Sequence, residues 1–164
     1  MLSRSLCIAV AASMFASPAT QAFDHGIPPA DVLRVLEHTK FRIVRRTCAI
    51  PVQPLIQAKF LPDHRSLNSF IADPGKPFQS GTHAWMDDSR PMRQLIFAAI
   101  SPEYIVLCFW HADWPADVRY MSVVRMHGAK AKEIFFCTLD GPAQTLGDIW
   151  QLLRRGDISV LGVS

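Results

Sequence analysis

Cysteine, excess charge and long apolar runs are all scarce in this 164-residue chain. Four cysteines are present, Cys7, Cys48, Cys108 and Cys137, and no two are separated by two residues. The CxxC spacing of thioredoxin-type redox sites and zinc knuckles is therefore missing. Lysine and arginine total 17 against 14 acidic residues. So small an excess gives no electrostatic case for nucleic acid or for an anionic membrane surface. Basic residues interleaved with aromatics do not cluster either. Beyond the N-terminal stretch the longest apolar run, Tyr104 to Trp110, has seven residues, far below the roughly 20 that span a bilayer. A GxSxG elbow, HExxH, a phosphate-cradling glycine loop and a dinucleotide fingerprint are all absent, so no cofactor and no metal are expected. Internal repeats and low-complexity tracts are missing too.

What is present begins with an export-like segment. Met1 to Ser5 carry one charge, Arg4, Leu6 to Phe15 are almost all apolar, and Ala16 to Ala22 are small and polar. Thr20-Gln21-Ala22 places small residues where a signal peptidase reads them, and Ala19 offers an alternative cut. Residues 1–22 are thus expected to be a signal peptide, leaving a mature domain of 142 residues, Phe23 to Ser164. A periplasmic or secreted location follows from that expectation. A chain of this length forms one domain, large enough to bury roughly two-thirds of its unfolded surface. Cleavage removes Cys7 and leaves three cysteines, an odd number, so at least one thiol lacks an intrachain partner. An oxidising compartment allows one bridge among Cys48, Cys108 and Cys137, and the spacing does not name the pair. All three lie in apolar, strand-like surroundings, where a free thiol packs as a small hydrophobe.

The mature chain reads as α+β. A helix is expected over about 29–39, because Pro28 and Pro29 suit a first turn and Val32, Leu33, Val35 and Leu36 form one apolar stripe. Phe41 to Ile50 reads as a strand ended by Pro51. Six of the 12 prolines fall in 51–91. Within that stretch a short helix over about 54–60 and a short strand over 67–72 are the only regular elements expected, with a turn at Asp73-Pro74-Gly75. A hairpin meander is expected over about 93–139: strands at 93–100, 104–111, 118–127 and 132–139, with a proline-containing loop at 112–117. The 104–111 strand is apolar on both faces and must be central or covered. A last helix, about 146–155, opens with a Thr145–Asp148 capping box and ends at Gly156. Its stripe of Leu146, Ile149, Trp150 and Leu153 marks a buried side, with Trp150 in the core. Ile158 to Val163 reads as a final short strand. The architecture expected is a mainly antiparallel sheet with the N-terminal and C-terminal helices packed on one face.

Two constellations carry chemistry. His111-Ala112-Asp113 follows the most apolar strand, and an extended chain puts its histidine and carboxylate on one face. The stretch from Gly81 to Arg90 is the densest polar cluster, holding His83, Trp85, Asp87, Asp88 and Arg90 in the least regular part of the chain, where binding residues concentrate. Asp87 and Asp88 are adjacent, so at most one points into a site. Cys108 and His111 are three apart and lie on opposite faces of a strand, which breaks a cysteine–histidine pair. With catalytic signatures missing, the expected activity is non-catalytic binding of an envelope protein or small ligand through Trp85, Asp87, Arg90 and Trp114. A hydrolase or metal-dependent enzyme built on His83, His111 and Asp113 is the alternative. An envelope assembly subunit that forms a homo-oligomer is the third.

Overall fold

The computed structural model describes residues 29–61, 67–79, 89–113, 116–128 and 130–161. The export-like residues 1–22 lie outside these, as do His83, Trp85, Asp87 and Trp114. Among the described residues seven strands form one sheet with four α-helices around it, a broadly α+β arrangement. The strands are β1 (Arg42–Val44), β2 (Ile71–Ala72), β3 (Arg93–Ile100), β4 (Tyr104–Asp113), β5 (Ala116–His127), β6 (Lys130–Leu139) and β7 (Ile158–Val160). The helices are α1 (Pro29–His38), α2 (Val52–Gln57), α3 (Leu67–Phe70) and α4 (Leu146–Arg155). The sheet order is β1-β3-β4-β5-β6-β7, and β2 runs parallel beside β3. No described helix is long and apolar enough to cross a membrane.

β3 to β6 form the antiparallel meander because their connections are short. Asp113 pairs with Ala116, so the expected 112–117 loop contracts to two residues. The β5–β6 turn is equally tight, and Gly128 takes the left-handed φ of 59° that a side chain disfavours. Both faces of β4 are apolar, and both are buried. Tyr104, Val106, Cys108 and Trp110 face one side, together with Met121 and Val123 of β5 and Phe135 and Cys137 of β6. Val32 and Leu36 of α1 and Ile149, Leu152 and Leu153 of α4 cover that side. Ile105, Leu107 and Phe109 face the other side, where Ile50, Leu55, Leu61, Leu67 and Ile71 cover them. The sheet is therefore covered on both faces rather than one, since a strand with no polar face cannot leave either in water.

That second cover corrects the expected strand at 41–50. β1 stops after three residues, and Thr47–Ala49 form a turn of 3-10 helix. Thr47 is buried with its polar groups satisfied. Its amide donates to the Asp73 carboxylate at 2.7 Å, and its hydroxyl bonds Asp73 at 2.8 Å and also Asn68. The expected strand at 67–72 is mostly helical turn, with only Ile71 and Ala72 extended. α2 starts at Val52 and ends at Gln57, and Lys59 turns the chain at a positive φ of 59°. Trp150 is half-exposed rather than core. Its indole N–H donates to Glu37 Oε1 at 2.8 Å, tying α4 to α1. Asp148 accepts the Gln144 and Thr145 amides at 2.9 Å each, and these bonds, Gln144's first, hold its carboxyl below the ordinary range.

The two sheet edges differ. β7 pairs only with Cys137–Leu139 of β6, and the Leu161 amide extends that contact to the Phe136 carbonyl at 2.9 Å. The outer edge of β6 from Lys130 to Phe135 has no strand partner among the described residues. Truncating Leu107, which is fully buried, is expected to cost roughly 2–5 kcal/mol in denaturant unfolding. Truncating Val52, 37% exposed, should stay within about 0.5 kcal/mol.

Candidate functional site

Antiparallel connection sorts the loops to two ends of the sheet. β3 begins, β4 ends and β5 begins at the same end, where Arg93, His111 and Val118 stand in register. The chain either side of residues 80–88 is closed at this end. The Gln79 amide donates to the Pro91 carbonyl at 2.8 Å, and its side-chain nitrogen donates to Arg90 at 3.1 Å. The Ala112 amide then donates to Met92 at 2.9 Å. The residues flanking 80–88, Gln79 and Pro91, are therefore joined at the end of the sheet where Met92 meets Ala112 of β4.

At the same end lies a row of aromatic rings on the face opposite α1 and α4. Tyr120 stacks between Phe109, with centroids 5.9 Å apart, and Phe136, at 5.2 Å. The His111 ring meets Tyr120 edge-on at 5.6 Å. Arg93 sets its guanidinium 4.1 Å from the centre of Phe70, 5.3 Å from Phe60 and 5.6 Å from Phe109. Arginine is suited to that position because its planar, weakly hydrated cation tolerates ring faces. Deeper on the same face, the fully buried Ser122 hydroxyl bonds the Glu133 carboxylate. Burial pushes the Glu133 carboxyl above its ordinary value, with Ser122 and Arg93 opposing. On the helix-covered face at this end, Arg119 lies 4.3 Å over Trp110 and donates to the Gly141 carbonyl.

Of the residues singled out from sequence, His111 stands half-buried in this row, and Arg90 is exposed with its carbonyl accepting from the Gln79 side chain. Asp113 closes β4. His83, Trp85, Asp87 and Trp114 fall outside the described residues. The sequence pattern missed Arg93, Tyr120 and the phenylalanines around them. Arg93 looks like a solvated strand end until Phe60 and Phe70 are folded onto it. The aromatic alternation Phe109, Tyr120 and Phe136 was the available signal, since all three lie on one face once the register is known. No group of three histidine, cysteine or acidic side chains able to hold a metal occurs among the described residues.

The cysteines do not form the bridge allowed from composition. Cys48, Cys108 and Cys137 are all free. Cys108 pairs in register with Met121, and Met121 with Cys137. Their Cα atoms are thus two strand spacings apart, about 10 Å, beyond the roughly 7 Å between Cα atoms that a disulfide can close. Cys48 sits exposed on the 3-10 turn. Burial first, and then charge on Cys137 two strands away, pushes the Cys108 thiol up to about 12. Burial likewise pushes Cys137 up to about 12, against an opposing bond with Met121. Both stay neutral at physiological pH and are poor nucleophiles. Because the fold favours their protonated forms, their contribution to stability is complete below the ordinary 9.0 and declines as pH rises from there toward 12. The Cys108→Ala/Cys137→Ala variant should lose less stability than the parent between those limits in pH-dependent unfolding. A parent and a variant with the same slope would contradict the assignment. Neither a protein-family model, a curated protein nor a solved structure matches the chain.

Proposed function

We propose that the chain is an exported binding protein, periplasmic or secreted, that engages an envelope protein or a small ligand without catalysing a reaction. The contact surface is the end of the sheet that holds the residues flanking 80–88 and the β4–β5 turn. The observation that carries this is the register of Arg93, His111 and Val118, with Gln79 bonded to Pro91 and Ala112 to Met92. Two segments far apart in sequence, each carrying a tryptophan and polar side chains, thereby share one base. An aromatic row with an embedded arginine stiffens that end of the sheet, and a rigid base lowers the ordering cost of binding. Neutral buried thiols at Cys108 and Cys137 argue against either serving as a nucleophile.

Export is tested by expressing the full chain, fractionating the cells and sequencing the product's N-terminus. A start at Phe23 in the envelope fraction or the medium is expected, and an intact Met1 in the cytosol would refute it. Binding is tested by capture from envelope extract with the mature chain, its Trp85→Ala and Trp114→Ala variants, and a Val52→Ala control. Both tryptophan variants should lose the captured species while the control keeps it. Equal capture by all four would remove this surface. Stoichiometric metal in the purified protein would instead favour a metal enzyme using His83, His111 and Asp113.

A further inference from the structure

The opposite end of the sheet carries a second surface of different character. A groove of about 710 Å³ there is lined by Gln57, Arg125, His127, Lys130, Ala131, Lys132 and Ile134. Among the described residues its lining holds three permanent cations and a histidine and no carboxylate. Arg125 stands directly opposite Lys132, and His127 directly opposite Lys130, on the same face. Like charges opposed across a strand pair are destabilising. None of the four makes an ion pair or side-chain hydrogen bond to a described residue. The free protein therefore sets Arg125 against Lys132 as like charges with no described carboxylate between them, a repulsion that a bound anion would relieve.

The same residues border the open edge of β6. From Lys130 to Phe135 this edge has no strand partner among the described residues, because β7 covers only Cys137–Leu139. Along β6, Lys130 and Lys132 repeat at two residues, about 7 Å apart on one face. A strand added to that edge would carry its own side chains at the same interval. Two independent features thus select one occupant. Unpaired backbone groups call for an extended chain, and alternate same-face cations call for carboxylates at alternate positions.

We infer that the β6 edge binds an extended acidic peptide by strand addition, with carboxylates at alternate positions of the peptide meeting Lys130, Lys132, Arg125 and His127. This surface is separate from the one at the other end of the sheet, so either assignment stands or falls alone.

The test uses fluorescence anisotropy with a labelled peptide of alternating Glu and Val. Its partners are the same peptide N-methylated at alternate residues, which keeps the charge and cannot pair, and a sulfated polysaccharide as competitor. The alternating peptide should bind the mature chain, and N-methylation should weaken it at least tenfold. Lys132→Glu should abolish binding while raising the Tm, because it turns the repulsive pair with Arg125 into an attractive one. A merely destabilising change would lower the Tm instead. Lys130→Gln should weaken binding with little change in Tm. Equal affinity for the N-methylated peptide would show attraction by charge alone and overturn the proposal. Tighter binding of the polysaccharide would assign the groove to a sulfated polymer, and no binding by any probe would leave the lysines as guards of a bare edge. Each of these outcomes sinks strand addition.

Discussion

Strand β4 sets the terms for everything around it. From Ile105 to Phe109 every side chain is fully buried, and successive side chains point to opposite faces. Apolar surface on both sides of one strand has to leave water on both sides, and at roughly 25 cal/mol per Å² the combined area outweighs any local preference of the flanking segments. The sheet is widened by β3 and β5, which flank β4 in register, and each face then needs a cover. α1 and α4 supply one, locked together by the bond from Trp150 to Glu37. The proline-rich chain between residues 47 and 72 supplies the other, pinned by the bonds from Thr47 to Asp73 and Asn68. Prolines are compatible with that role because these elements are short and contribute side chains rather than backbone ladders.

Antiparallel pairing also partitions the chemistry. Every connection in the β3–β6 meander returns the chain to one of two ends, so residues distant in sequence collect by end. One end gathers rings and arginines: Arg93 among Phe60, Phe70 and Phe109, and Arg119 over Trp110. The other gathers bare cations on the β5–β6 hairpin. The difference is one of solvation. An arginine pressed on ring faces has shed part of its water, whereas Lys130 and Lys132 remain exposed and act at longer range through charge. The cysteines belong to neither end. Cys108 and Cys137 lie in the core beneath the helices, where burial keeps them protonated.

The meander was legible because its signals are local. Ser101-Pro102-Glu103 and Gly128 mark the reversals, and the double-sided apolar run of β4 announces its own burial. The α4 caps are equally local: the Thr145 hydroxyl accepts the Asp148 amide at 3.2 Å, and Gly156 takes a φ of 76°. The strand expected over 41–50 failed because β-branched residues describe a preference for a pleated surface, and β3 offers only three residues of pairing there. The 67–72 stretch failed in the same way, and Trp150 failed because an amphipathic tip satisfied by Glu37 packs at a rim as readily as in a core. His111 was visible as a strand-end histidine, while its neighbours Tyr120 and Arg93 were not visible as such.

By itself the sequence determined periodicity, capping, the turns and the excess of apolar surface on one strand. These depend on residues within a few positions of each other, where backbone geometry alone relates one side chain to the next. Tertiary structure alone decided which segments cover which face, that Cys108 and Cys137 stand too far apart to bridge, and that four basic residues face one groove with no acid among its described lining. Those outcomes depend on strand register and on long-range contacts. A shift of one residue in pairing would exchange the two faces of a strand and dissolve every one of them.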